Sequence, residues 1–172
     1  MSKLALPQLK KRAAGIKLAA FDIDGVLTDG LLYLGPEGQE FKATSVKDGH
    51  GLVMLRHAGV NLAVISARPS AAMAARCVEL GIEHVALGVH DKLMTLKKML
   101  GRLKIKPEFA SYMGDDMPDL PLLELCGLAL TPSDAMPSVR QAADWVSRYP
   151  GGKGAVREAC DMLIAARGSG KK

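Results

Sequence analysis

"AAFDIDGVLTDG", Ala19–Gly30, decides the fold. An apolar run ends in Asp22, a second carboxylate, Asp24, follows two residues later, and glycines and Asp29 come next. Side chains alternate along a strand, so Asp22 and Asp24 point to one side of it. Two like charges this close repel, and burying them at a strand end without a cation is costly. Asp and Gly also suit a turn, which is the bland reading of the same letters. The choice between the two depends on what the other strands bring to the same edge.

Further short apolar runs follow at Asn61–Ile65, His84–Leu87, Phe109–Met113 and Leu128–Leu130, with a weaker one at Trp145–Val146. Helical patterns fall between them, at Gly51–His57, Ser70–Leu80, Lys92–Leu103, Pro118–Leu125, Pro137–Ala142 and Ala155–Ala166. This alternation predicts an α/β fold, a doubly wound parallel sheet with helices on both faces. In such sheets chemistry collects at the carboxyl ends of the strands. There the chain delivers Asp22 and Asp24, then Ser66 and Arg68, then Asp91 and Lys92, then Asp115, Asp116 and Asp119. One segment breaks the pattern: Leu31–Leu34 and Glu40–Val46 flank "GPEG", a strong turn signal, and predict a β-hairpin flap over the strand ends, about residues 30–48.

The net charge of +5 is concentrated at the termini, in Lys3, Lys10, Lys11, Arg12, Lys17, Lys171 and Lys172. No aromatic-rich basic stripe or zinc-finger spacing accompanies it, so nucleic acid is not the expected partner. Residues 1–15 and 167–172 are expected to be flexible. Three cysteines, Cys77, Cys126 and Cys160, stand far apart in apolar surroundings and predict buried thiols in a reducing compartment. The first 20 residues contain no uninterrupted apolar stretch of a signal peptide, and no run approaches a membrane span. A cytoplasmic protein without a membrane partner is the expectation.

An acidic cluster without matching cations implies a bound metal. Mg²⁺ takes hard oxygen ligands and keeps several waters, so one or two carboxylates suffice. Asp22 and Asp115 are the natural side-chain ligands, with a backbone carbonyl near Asp24 as a third. A Mg²⁺ beside Ser66 and Lys92 makes a phosphoryl site, since metal, amine and hydroxyl all stabilise charge on phosphoryl oxygens. Lys92 opens a helix, where the dipole does not favour a cation, and that conflict suggests a functional reason for it. Asp115 and Asp116 also suit the N-cap of the next helix. "GVLTDG" and "PGGKG" match neither GxxxxGK[ST] nor GxGxxG, so a nucleotide loop is not expected. The four histidines show no metal spacing.

"DIDGVLTDG", "VISAR", "DKL" and "GDDMPD" resemble, in order, the four motifs of haloacid dehalogenase (HAD) superfamily phosphatases. "KDGHGL", the hairpin and "GGKGAVREACDML" are similar to the 3-deoxy-D-manno-octulosonate 8-phosphate (KDO 8-phosphate) phosphatase family, over roughly residues 16–166. The resemblance implies a Rossmann-like HAD core without a separate cap domain. Asp22 would attack phosphorus and form an aspartyl-phosphate, and Asp24 would protonate the leaving sugar oxygen and then activate water. Ser66 would bind the phosphoryl group, Lys92 would neutralise it, and Asp115 would hold Mg²⁺. Asp116 or Asp119 would support the metal's water or Lys92. Lys47, Arg68 and Arg76 are candidate contacts for a carboxylated sugar. This chain has Ser66–Ala67 where the family has Thr-Gly, and Lys153 where Arg is common.

The resemblance also implies a homotetramer, in which flaps and C-terminal tails, here from about residue 150, cover neighbouring sites. On that reading the residues after Gly151 form a cover that changes shape and is removable without loss of the fold. The implied reaction is hydrolysis of KDO 8-phosphate in lipopolysaccharide precursor synthesis. A phosphatase for a nine-carbon acidic sugar phosphate and a non-catalytic binding or assembly module on the same scaffold are the alternatives.

Overall fold

The computed structural model describes residues 3–168. In chain order its strands are β1 (Leu18–Phe21), β2 (Tyr33–Leu34), β3 (Glu40–Phe41), β4 (Asn61–Ser66), β5 (His84–Leu87), β6 (Ala110–Met113), β7 (Leu128–Thr131) and β8 (Trp145–Val146). The helices are α1 (Leu6–Gly15), α2 (Val46–His57), α3 (Ala71–Glu79), α4 (Lys92–Leu103), α5 (Leu120–Leu125), α6 (Pro137–Ala142) and α7 (Ala155–Gly168). A six-stranded parallel sheet runs β5–β4–β1–β6–β7–β8, and β2 and β3 pair separately as an antiparallel hairpin. The doubly wound α/β architecture is therefore as expected, with no separate cap domain among the described residues.

β1 is buried at all four positions because its sequence, LAAF, has no polar face. Alternation sends Ala19 and Phe21 into one core and Leu18 and Ala20 into the other. The first core is closed by α1, α2, α3 and α7, the second by α4, α5 and α6. The chain builds outward from β1 to β4 and β5, then crosses back to β6 on the other side. That reversal opens a crevice at the carboxyl ends of β1, β4 and β6.

Two expectations about the ends of the chain need correction. Residues 6–15, expected to be flexible, form α1, whose Leu9 and Ala13 are buried in the first core. The abundant charges of "LPQLKKRAAG" lie around a narrow apolar stripe, which the charge count hides. Likewise the segment after Gly151 is no removable cover. α7 buries Val156, Ala159, Cys160 and Leu163, so its deletion would open the first core. Residues 1–2 and 169–172, also expected to be flexible, lie outside the described residues.

α7 is tied to α2 by one carboxylate. Asp48 accepts hydrogen bonds from the backbone N–H of Gly154 at 3.1 Å and of Arg157 at 2.7 Å, satisfying two groups that a helix start otherwise leaves bare. Gly51 of α2 permits close approach, since a Cβ there would stand 2.9 Å from the Arg157 side chain and 3.3 Å from Cys160. Asp48→Ala is expected to lower stability by about 1–2 kcal/mol in urea or thermal unfolding, the usual scale for losing an N-cap. An unchanged midpoint would contradict this role.

The hairpin is shorter than its sequence suggests, with two residues per strand. The expected second strand reached Val46, but Ser45 accepts a hydrogen bond from the Asp48 N–H at 3.3 Å and starts α2 at Val46. Helix formation through Gly49 and Gly51 against their propensity is a tertiary effect of close packing, of Gly49 on Arg76 and Leu80 and of Gly51 on α7.

Candidate active site

β1 delivers Asp22 to the crevice, and its backbone N–H extends the ladder to the Met113 carbonyl at 2.9 Å. Beyond it the chain turns tightly. The Ile23 carbonyl accepts hydrogen bonds from the N–H groups of Val26, Leu27 and Thr28. The Thr28 hydroxyl accepts from the Gly30 N–H at 3.2 Å. Gly25 sits in this turn at φ +82°, and a Cβ there would overlap Oδ2 of Asp115. Glycine is required on both counts, and its bareness brings the Asp115 carboxylate against the turn. On the opposite side the Gly151–Gly152 turn braces the same loop. Gly152 N–H donates to the Val26 carbonyl at 2.9 Å, and a Cβ at Gly151 would overlap the Gly25 carbonyl.

Lys92, the first residue of α4, is buried between two carboxylates. Its Nζ lies 2.8 Å from Oδ2 of Asp22 and 2.8 Å from Oδ1 of Asp119. Burial alone would lower its pKa, but Asp22 and Asp119 outweigh that and hold it above the ordinary lysine value. Asp119 is the best-satisfied acid here. Oδ1 also accepts from the Tyr112 hydroxyl at 2.9 Å, and Oδ2 accepts from the N–H groups of Asp115 at 3.0 Å and Asp116 at 3.3 Å. With its oxygens so engaged, Asp119 is a buried orienter of Lys92 and a poor metal ligand, although it offers an oxygen within 4.8 Å of those of Asp22 and Asp115. Asp116 is exposed and accepts from the Met117 N–H at 2.7 Å, capping the short turn Met117–Asp119.

Two oxygens are left over. Among the described residues, neither Oδ1 of Asp22 nor Oδ2 of Asp24 has a hydrogen-bond partner, and both are buried. A buried orphan acceptor is costly and calls for a cation or a proton. Burial, then the charge of Asp119, pushes the Asp22 pKa up to about 6 against the pull of Lys92. Burial, then the charges of Asp22, Asp119 and Asp116, pushes Asp115 up to about 7. Such crowding of anions is what a divalent cation relieves. Asp22 and Asp115 thus fit a hard, oxygen-liganded metal such as Mg²⁺.

A family model for haloacid dehalogenase-like hydrolases matches residues 81–158. The chain is 41% identical over 162 residues to the 3-deoxy-D-manno-octulosonate 8-phosphate phosphatase KdsC of Salmonella typhimurium, covering 94% of this chain and 86% of that protein. It belongs to the KDO 8-phosphate phosphatase family of HAD-like hydrolases. Among solved structures, the Yersinia pestis KDO 8-phosphate phosphatase superposes with a TM-score of 0.92 at 39% identity, covering 94% of this chain and 87% of that one. The Moraxella catarrhalis enzyme, solved with magnesium, phosphate and KDO, superposes with a TM-score of 0.93 at 37% identity, covering 96% of this chain and 95% of that one.

In this HAD-like chain the cleft has a volume of about 280 Å³. Asp22, Asp24, Ser66, Arg68, Lys92, Asp115, Asp116 and Asp119 all line it. Ser66 is buried at the end of β4, where its hydroxyl accepts from the Arg68 N–H at 3.3 Å. Lys47 and Arg76 do not line it. Lys47 is exposed on α2, and Arg76 pairs with Glu79 at 2.7 Å beside a separate small pocket. The resemblance offers both as sugar contacts, but their positions on α2 and α3 turn them away from this cleft.

Sequence reasoning missed Lys42. Its side chain is buried under the hairpin and forms ion pairs with Asp24 and, at 3.4 Å, with Glu40. The available signal was a second lysine beside Lys47 inside the predicted flap.

Proposed function

We propose that this chain is a Mg²⁺-dependent phosphomonoesterase that hydrolyses KDO 8-phosphate to the free sugar acid and phosphate. The carrying observation is the pair of buried carboxylate oxygens on Asp22 and Asp24 that accept no hydrogen bond among the described residues, set beside the Lys92–Asp119 pair in one cleft. The family's Moraxella catarrhalis member, solved with magnesium, phosphate and KDO, supports the substrate.

Asp22 and Asp115, with a backbone carbonyl near Asp24, would hold Mg²⁺, which supplies positive charge against the phosphoryl oxygens. A carboxylate oxygen of Asp22 attacks phosphorus, and the bond from phosphorus to the sugar oxygen breaks. Asp24 gives that oxygen a proton, leaving an aspartyl-phosphate on Asp22. Asp24 then takes a proton from water as the water attacks phosphorus, which releases phosphate and restores Asp22. Lys92 holds the Asp22 carboxylate in place and balances charge on the transferring group, and Asp119 fixes Lys92. Ser66 donates its hydroxyl proton to a phosphoryl oxygen. Arg68 meets the substrate carboxylate.

The subunits assemble as a homotetramer on this reading. Leu31, Leu34, Phe41 and Val46 of the hairpin region are 59%, 70%, 61% and 79% exposed, more apolar surface than one loop of a monomer comfortably shows. The enzyme acts in the cytoplasm, in lipopolysaccharide precursor synthesis. Three buried free thiols suit a reducing compartment. No helix of the described residues is long and apolar enough to cross a membrane.

Mg²⁺-dependent phosphate release should be measured on KDO 8-phosphate, on nine-carbon acidic sugar phosphates and on p-nitrophenyl phosphate. The expected result is a kcat/KM for KDO 8-phosphate at least about tenfold above the others, the scale that pocket contacts discriminate. Preference for a nine-carbon sugar would keep the chemistry and replace the substrate. Release from none, by folded protein, would favour a binding module.

A further inference from the structure

The phosphoryl chemistry gives no task to Glu40, yet Glu40 is held at the mouth of the cleft. Its Oε2 lies 2.5 Å from Nη2 of Arg68, and its Oε1 lies 3.4 Å from Nζ of Lys42. Lys42 pairs in turn with Asp24, and Nε of Arg68 stands 4.0 Å from Oδ2 of Asp24. Two anions and two cations thus close a ring. Two of its members, Glu40 and Lys42, come from the hairpin, and the other two follow β1 and β4. Arg68 is the ring's outward cation: it lines the cleft and its side chain is 48% exposed.

We propose that Glu40 is a resident counter-ion that keeps Arg68 occupied until a carboxylated substrate displaces it, so that Glu40 sets the KM for carboxylated substrates in particular. The inference rests on the substrate class proposed above. A guanidinium presents a planar fork that matches a carboxylate, and Glu40 and a keto-acid sugar offer it the same two oxygens. The exchange is like for like, so a carboxylated substrate breaks one ion pair and makes another. Partly exposed ion pairs are weak, so the resident partner yields readily. A phosphoester without a carboxylate has nothing to exchange, and Arg68 stays with Glu40. The hairpin then remains tied across the cleft. Glu40 thus competes only with substrates that carry the group it mimics, and raises their KM alone.

Steady-state kinetics of Glu40→Gln and wild type on KDO 8-phosphate and p-nitrophenyl phosphate test this. For the variant, KM for KDO 8-phosphate is expected to fall roughly three- to tenfold, with kcat and the KM for p-nitrophenyl phosphate within about twofold of wild type. A residue that merely braces the hairpin would raise the KM or leave it alone, and either result overturns the proposal. An equal fall for both substrates overturns it too, since the effect would not depend on a carboxylate. Absence of wild-type turnover of any carboxylated phosphate is seen before a variant is made. It removes the substrate reading itself, separately from the role of Glu40.

Discussion

Asp22→Asn should reduce phosphate release on the order of 10⁴-fold or more, the scale on which a covalent nucleophile is lost. The reason is electronic, because the shape hardly changes. An amide matches the carboxylate in size but is a poor nucleophile towards phosphorus and a poor ligand for a hard cation. The fold should survive. Lys92 keeps Asp119 at 2.8 Å, and the Asp22 backbone keeps its bond to Met113. A neutral amide also relieves the repulsion among the charges of Asp22, Asp115 and Asp119. The decisive measurements are kcat, a thermal melt showing intact protein, and a search for phosphate covalently held on the wild type during turnover. Activity within tenfold of wild type would refute attack by Asp22.

The second large effect is metal withdrawal. EDTA should stop turnover and Mg²⁺ restore it. The same site predicts a thermal signature, whose sign follows from the pKa directions. Asp22 and Asp115 are raised from 3.8 to about 6 and about 7 in the chain without metal. Between about pH 4 and pH 7 the folded chain therefore holds protons that the unfolded chain has released. The two groups then contribute less stability as pH rises through that window. In EDTA their contribution should make the protein melt lower at about pH 8 than at about pH 5. Mg²⁺ should recover the loss, by about 2.7 kcal/mol at 100 times its Kd. Asp115→Asn should raise the melting temperature in EDTA at about pH 8 and abolish the response to Mg²⁺. Turnover indifferent to chelation, or a full Mg²⁺ response in Asp115→Asn, would refute the assignment.

Much of this site is written at strand ends. Asp22, Ser66 and Asp115 follow short apolar runs, and a parallel sheet carries such residues to one edge whatever its helices do in detail. What lay beyond the sequence depended on partners distant along the chain. Asp116 and Asp119 are equal candidates as letters. Only the turn Met117–Asp119 shows that Asp119 points inward to Lys92 and Tyr112 while Asp116 caps from the surface. Lys42 is one of many lysines until the hairpin folds it under Asp24. The start of α2 was hidden by Gly49 and Gly51, whose close neighbours, Arg76 and Leu80 for the first and Arg157 and Cys160 of α7 for the second, are invisible locally. α1 was hidden by its charges, because a stripe holding Leu9 and Ala13 is too narrow to outweigh them in a composition.

The tie between Asp48 and the start of α7 spans 106 and 109 residues, and Arg167 of α7 donates to the Ile16 carbonyl at the foot of β1 across 151. During synthesis β1 therefore emerges from the ribosome early and waits. Its covering helix and the Gly151–Gly152 brace arrive only after every other strand has been made. A nascent chain carrying all four motifs still lacks one wall of its first core and the prop behind Gly25. The first core can therefore close only once α7 is available, and a chain broken off before α7 should be quality-control substrate, not enzyme.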